Sequence, residues 1–359
     1  MTEAPRLCLT DLPLDAFEGF AQECGAPRFA GRNLRRWIYQ KRATSLGQMT
    51  DLSKGFRREL ERRVRVRKVE VSSRRQDESG TTAFVLRLDD GALIESVLIP
   101  EDDRRTVCIS TQVGCPVACV FCASGLRGLT RNLTPGEIVE QTLIVQDHLP
   151  AGEALTNIVV MGIGEPTLNL PALRQALETW NDRKGMGIGA RRITISTVGY
   201  PRRIDELAAL DMEFGLAVSL HAPFQELRDR LIPGSGAVRI EDLIRAARRY
   251  FEKSGRRITF EYVLLDGINA SLVEAEALAR LLKGVPCNVN LLPYNPVDGL
   301  PFVRPAPEVV ESFRKLLLSR GIDVTRRKTR GEGIAAACGQ LRLREGADDG
   351  INGKPGLKR

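Results

Sequence analysis

The chain has 359 residues, of which 43% are apolar, and a formal net charge of +8. That length suits one large catalytic domain with accessory pieces. No apolar run approaches a membrane span and the start, MTEAPRLCLTDLPLD, lacks the basic-then-apolar order of a secretory leader, so a cytoplasmic protein with no membrane partner is expected.

In chain order, residues 1–72 predict a small helical accessory domain, with Leu34, Trp37, Ile38, Leu52, Phe56 and Leu60 at helical spacing. Residues 72–80 read as a loop. Next comes a β-hairpin extension (73–104 with its approach), in which 82–88 and 92–99 flank an Asp89-Asp90-Gly91 turn. Alternation puts Glu95 on one face with Leu93, Val97 and Ile99, either at an edge or held for a purpose. From Thr106 the chain alternates expected strands (106–110, 157–161, 192–196, 214–219, 258–264, 288–292) with expected helices (135–147, 171–181, 201–209, 240–253, 271–282, 307–320). Six such units predict an α/β core over 105–343, with a parallel sheet whose strand C-terminal ends converge on one rim. They are too few for a complete eight-stranded barrel, so an open barrel and a doubly wound sheet both fit. Residues 344–359 read as a disordered tail.

Positive charge clusters at Arg62, Arg63, Arg65, Arg67 and Lys68, at Arg191 and Arg192, and at Arg326, Arg327, Lys328 and Arg330. Such clusters suit a polyanion, because each phosphate neutralised releases a counterion. Solvated helix faces are the ordinary alternative.

Eight cysteines in a cytosolic chain point to metal or catalytic chemistry rather than a disulfide framework, and Cys108, Cys115, Cys119 and Cys122 fall within fifteen positions. Cys115, Cys119 and Cys122 form a CxxxCxxC just after the first parallel strand. Three thiolates on one tight loop can each hold one iron of a cubane cluster, leaving the fourth iron open for the amino and carboxylate groups of S-adenosylmethionine (SAM). A zinc site would need a fourth ligand, for which Cys108 or His148 could serve. A simple electron carrier would need neither basic clusters nor so long a chain.

The segment CISTQVGCPVACVFCASGLRGLTRNLTPGEIVEQ resembles the cluster loop of radical SAM RNA adenine methyltransferases of the RlmN/Cfr type. The resemblance continues through NIVVMGIGEPTLN, GARRITISTVG, LAVSLHAP, FEYVLLDGIN, CNVNLLPYNPV and RRKTRGEGIAAACGQL, and includes WIYQK and MTDLSK, spanning residues 10–341 in order. Departures are local, at Phe224-Gln225 and at 233–239, where members carry a polar, asparagine-containing stretch.

The resemblance implies an open (βα)6 radical SAM barrel and one [4Fe-4S] cluster on Cys115, Cys119 and Cys122. It implies SAM contacts at Gly164, Glu165, Ser196, Ser219, Leu220, His221 and Asn295, each at the C-terminal end of an expected strand. There Glu165 would accept from the SAM ammonium, the hydroxyls and Asn295 would bond ribose or carboxylate, and Gly164 would permit close backbone approach. The resemblance further implies that two SAM molecules are used per turnover: Cys338 would take a methyl group from the first, and the second would supply the radical that removes a hydrogen from that methyl. The resulting carbon radical would add to an adenine ring carbon, Glu95 would remove the ring proton, and Cys108 would attack the Cys338 sulfur, releasing methylated RNA and a Cys108–Cys338 disulfide. A carboxylate among aliphatics, as Glu95 is, would have a raised pKa and make a useful base. Cys8, Cys24 and Cys287 match no functional position and read as structural. The implied substrates are ribosomal RNA and tRNA, methylated at C2 of adenine, with C8 as the alternative within the family. A low-potential donor such as ferredoxin or flavodoxin and a monomeric state complete the expectation.

Overall fold

The structure is a computed structural model that describes residues 6–236, 238–326, 331, 334, 337 and 339–341. Three helices, α1 (Phe17–Glu23), α2 (Arg28–Tyr39) and α3 (Lys54–Arg63), form the N-terminal unit, closed by parallel pairing of the two-residue strands β1 (Leu7–Cys8) and β2 (Val64–Arg65). Leu34, Ile38, Leu52, Phe56 and Leu60 are buried, as their helical spacing predicts. Trp37 is half-buried against the same core, its indole N–H donating to Asp51 (2.5 Å) and the Lys41 ammonium standing 3.5 Å from its ring centre.

The loop expected over 72–80 is confined to 77–80, because Glu70–Gln76 is a strand, β3. It pairs antiparallel with β4 (Thr82–Arg87), which pairs with β5 (Leu93–Glu101) around the Gly91 turn. Its sequence hides it because β3 is an edge strand with no face in the core, so nothing selects apolar alternation. The boundary expected at 72/73 thus falls inside a strand.

β5 then pairs antiparallel with β6 (Arg104–Cys108), the first of the parallel strands. A short hairpin, β7 (Gln112–Gly114) and β8 (Leu129–Asn132), brackets the cysteine loop. The chain continues through α4 (Pro135–Asp147), β9 (Asn157–Val160), α5 (Leu170–Asn181), β10 (Ile193–Thr197), α6 (Pro201–Ala208), β11 (Gly215–Ser219), α7 (Gln225–Leu231) and α8 (Ile240–Ser254). It ends with β12 (Ile258–Leu264), α9 (Leu272–Leu282), β13 (Cys287–Pro293), α10 (Pro307–Ser319) and β14 (Asp323–Arg326). Among the described residues one ten-stranded sheet runs β14-β13-β12-β11-β10-β9-β6-β5-β4-β3, parallel from β6 through β14. The fold is the open partial barrel, and β14 is a seventh parallel strand where six were expected. No described helix is long and apolar enough to cross a membrane.

Register explains where a ligand can go. Ser219, Glu261, Asn290 and Thr325 stand side by side across β11 to β14, and Ser196, Ala217, Thr259 and Asn288 form the neighbouring row across β10 to β13. The alternate positions, Ile195, Leu216, Val218, Phe260 and Val289, are buried in the main core. One face therefore buries aliphatics and the other presents polar groups to the barrel interior.

Helix α4 is buried over residues 136–146 because it is packed on both sides. Its Glu140 is fully buried and accepts from the amides of Lys68 (2.9 Å) and Val69 (2.8 Å), from the Thr10 hydroxyl and from the Cys8 thiol (3.4 Å). One carboxylate thus fastens the N-terminal unit and the approach to β3 onto the barrel. Burial raises its pKa above the ordinary carboxylate range, against those hydrogen bonds. Cys8, pushed up to about 12 by burial and then by Glu140, is a structural thiol as expected.

The basic run beside it is mostly engaged. Arg62 and Arg63 pair with Glu59, Arg65 with Asp89, Arg67 with Asp147 (2.7 Å) and Lys68 with Asp11 (2.5 Å). Arg67 and Lys68 cross from this unit to the α4 region and to the chain start, so much of the positive charge read as an RNA surface holds parts of the fold together.

Candidate active site

The cysteine loop is built by close backbone contacts. Cys115 N–H donates to Gly128 O (2.9 Å) across the β7–β8 hairpin, where a Cβ on Gly114 would sit 2.0 Å from Gly128 O. On its other side Val120 N–H donates to Leu231 O (3.1 Å) and Gly234 N–H to Val117 O (2.8 Å). A Cβ on Gly234 would lie 2.5 Å from Val117 Cα. The departure at 233–239 thus includes a glycine that lets this segment press against the cysteine loop.

The three thiols interact with one another and face one pocket with a volume of about 1000 Å³ including its open mouth. Among the described residues no three His, Cys, Asp or Glu side chains converge on a single metal-ion position. Thiols gathered on one loop yet not closed round one ion fit a multi-iron cluster better than zinc. His148, the alternative zinc ligand, is elsewhere: its Nδ1 lies 2.7 Å from Ile144 O at the end of α4, and its ring packs edge-on against Phe84.

Burial pushes the Cys115 thiol up from 9.0 to about 12, and Cys119 is raised well above its ordinary value by burial and then by the neighbouring Cys122 and Cys115. Between about pH 9 and 12 the metal-free folded chain therefore holds protons that the unfolded chain has lost. Its stability is intact below about pH 9 and falls as pH rises toward 12. Thermal melts across that range should show the fall, and a smaller one after cluster reconstitution, since ligand thiols are already deprotonated.

The pocket wall gathers most of the expected SAM contacts: Gly164, Glu165, Ser196, Ser219, His221 and Asn295 all line it. Leu220 does not. It is fully buried in the main core, and its N–H donates to Glu261 O. Gly164 has φ +112°, and a Cβ there would meet Gln112 Cβ at 2.7 Å. The close approach the glycine allows is to the protein's own β7.

Glu165 is already tied within the protein. Its Oε1 accepts from Thr167 N–H (3.1 Å) and Thr167 Oγ1 (2.5 Å), its Oε2 from Val198 N–H (2.9 Å), and burial raises its pKa. It braces the turn after β9 against the turn after β10. His221, at φ +59°, accepts from Val263 N–H through Nδ1 (3.0 Å), and burial lowers its pKa to about 3. It is therefore neutral at pH 7, with Nε2 as the donor. Phe121, the aromatic before Cys122, stands edge-on to its ring (5.1 Å), joining the cysteine loop to the end of β11. Arg304 donates to Asn295 Oδ1 (2.8 Å) and to Tyr294 O (2.6 Å), orienting the Asn295 amide. Glu261, absent from the sequence reading, also lines the pocket and accepts from Asn290 Nδ2 at 2.9 Å.

Glu95 and Cys108 are not among the residues that line this pocket. Glu95 is buried in mid-β5, with its Oε1 3.4 Å from Arg75 Nη2. Two residues on, Val97 registers against Cys108, so both expected residues belong to one sheet face. Cys108 sits in an apolar cluster with Val97, Ile163 and Leu341, against which Met161 and Ile334 pack. Cys338 itself lies outside the described residues. Nearby, Gly339 lines the pocket and its carbonyl accepts from Ala123 N–H (2.8 Å), while Leu341 O accepts from Ser124 Oγ (2.9 Å). Described residues of the C-terminal segment therefore touch both the Cys108 cluster and the turn after Cys122.

Residues 109–279 match the radical SAM superfamily, and residues 7–66 match the ribosomal RNA large subunit methyltransferase N-terminal domain. A probable dual-specificity RNA methyltransferase RlmN of Rhodopirellula baltica is 47% identical over 94% of this chain and 91% of its own. The dual-specificity RNA methyltransferase RlmN of Nitratidesulfovibrio vulgaris is 42% identical over 94% and 95%. The crystal structure of a radical SAM methyltransferase from Sphaerobacter thermophilus superposes with a TM-score of 0.91 at 46% identity, covering 94% of this chain and 99% of that one.

Proposed function

Since the chain belongs to the RlmN family of radical SAM RNA methyltransferases, we propose that it methylates C2 of a specific adenosine in the peptidyl transferase region of 23S rRNA and the adenosine beside the tRNA anticodon. The observation that carries this reading is the single pocket in which Cys115, Cys119 and Cys122 meet Ser196, Ser219, His221 and Asn295, with Gly339 of the C-terminal segment on its wall.

An adenine ring carbon of this kind is not nucleophilic, so direct methyl transfer from a sulfonium fails. When bound, a [4Fe-4S] cluster supplies the electron that turns SAM into a source of radical chemistry. The chain's own residues do the rest. Cys338 takes a methyl from one SAM, and after hydrogen abstraction by way of a second SAM its carbon bonds the adenine. Glu95 accepts the ring proton and Cys108 forms the disulfide that frees the product. Neutral His221 offers a donor to SAM, the serine hydroxyls offer donors and acceptors, and Glu165 keeps the two strand-end turns in place. The reductant is a low-potential ferredoxin or flavodoxin, and the enzyme acts as a cytoplasmic monomer.

Mass spectrometry of rRNA and tRNA nucleosides from cells with and without the protein tests the reading. Gain of 2-methyladenosine in both RNAs is the expected result. Gain of 8-methyladenosine instead would establish the family alternative, and no gain in either RNA would refute the assignment.

RNA affinity should fall linearly in log salt. Neutralising Arg326, Arg327 and Arg330 together should reduce the slope by about 0.7 to 0.9 for each phosphate that these arginines neutralise. Arg67→Ala should leave the slope unchanged while lowering the melting temperature, because its guanidinium is engaged by Asp147 and the Arg42 carbonyl. Filter binding at several salt concentrations gives both slopes.

A further inference from the structure

Arg228, on the short helix α7, is fully buried, which is rare for a guanidinium without an anionic partner. Its Nη1 donates to Ser235 Oγ (2.9 Å) and its Nη2 to Val198 O (2.5 Å). Among the described residues its Nε has no hydrogen-bond partner. The adjacent Asp229 feels its charge, but Asp229 Oδ1 is engaged by Gln225 Nε2 (2.7 Å).

The surroundings are specific. One turn after Arg228, Leu231 O accepts from Val120 of the cysteine loop, and Gly234 presses on Val117. Val198, whose carbonyl Arg228 holds, lines the pocket. Val120, the residue that Leu231 O holds, directly follows Cys119. A cation is thus buried at the back of the loop that carries the three cysteines.

We propose that Arg228 is an electrostatic positioning residue that makes the cluster easier to reduce by placing a fixed, poorly screened positive charge behind Cys119. This rests on the reading of Cys115, Cys119 and Cys122 as cluster ligands. A cubane on three thiolates carries net negative charge and gains more when an external low-potential donor delivers one electron. Local charge and hydrogen bonding are among the factors that set such potentials. Arginine suits the task because its guanidinium stays protonated in a buried site.

The test is the midpoint potential of the reconstituted cluster, read by electron paramagnetic resonance during a dithionite titration, with iron and sulfide counted in the same samples. Arg228→Met removes the charge, Ser235→Asp sets a carboxylate against Nη1, and Arg228→Lys keeps a cation. The first two should each lower the reduced-to-oxidised ratio at a fixed poise by about tenfold or more, which is about 59 mV for a one-electron couple. Arg228→Lys should stay within about threefold of the parent. A full cluster with the parent potential in Arg228→Met or in Ser235→Asp overturns the proposal. If both lose the cluster, retention of parent iron and potential by Arg228→Lys supports it, and loss from all three variants reduces Arg228 to a packing role. Failure of the unaltered chain to take up a cluster would instead refute the ligand reading.

Discussion

Cys108→Ala is expected to stop the enzyme with its RNA covalently attached, at no more than about one event per chain, because the step it removes is release. On the proposed route Cys338 and Cys108 act at different moments. Cys338 would carry the methyl group before RNA is engaged, so Cys338→Ala should give neither methylated RNA nor adduct. Cys108 would be needed only when the Cys338 sulfur must be freed. Cys108→Ala should therefore still carry a methyl on Cys338, still consume SAM, and run as a slow band on a denaturing gel that collapses with RNase. Cys108 is buried in an apolar cluster with Leu341, against which Ile334 packs, so the substitution falls where the C-terminal segment meets β6. Glu95→Gln should trap RNA as well, since proton removal precedes release. Normal turnover by Cys108→Ala, or inactivity without any adduct, would show the covalent route to be wrong.

Glu140→Ala should be the most destabilising change far from the pocket, by about 3 to 5 kcal/mol. The carboxylate takes hydrogen bonds from the Lys68 and Val69 amides, from Thr10 and from Cys8 in a fully buried position. Alanine leaves those donors without an acceptor and opens a cavity between α4 and the N-terminal unit. Glu140→Gln keeps the volume but turns one acceptor into a donor, and should fall between the parent and Glu140→Ala. Denaturant unfolding gives the order, and equal midpoints for all three proteins would mean that packing alone holds the N-terminal unit.

The parallel strands were legible because each buries one aliphatic face, as Ile193, Ile195 and Thr197 do in β10, and because proline opens the helices α4, α6 and α10. Edge strands gave no such signal. β3 and β14 are largely exposed, with Ser73, Arg74, Thr325 and Arg326 satisfied chiefly through the main chain. The helix α7, with four charged residues in seven, resembles a surface turn although Arg228 is buried. At the site, the three cysteines and six of the seven residues named by the resemblance line one pocket, and short local motifs carry them all. Glu261 was hidden inside a strand that otherwise reads as apolar, and only its register against Asn290 reveals a polar inner row. The ion pairs of the basic run at Arg62–Lys68 were illegible for the opposite reason. Most of its acidic partners, Asp11, Asp89 and Asp147, lie well away in sequence and become neighbours only in the fold.

β6 bonds β9 along one edge and β5 along the other. A ring of strands closes only if its first member keeps an edge vacant for its last, and β5 occupies that edge. Among the described residues topology therefore keeps β6 and β14 from pairing, and only breaking the β5–β6 ladder would free that edge. On the proposed function, the side of the barrel left without a strand is where a bulky folded RNA would be laid, its own surface supplying the wall that strand pairing does not.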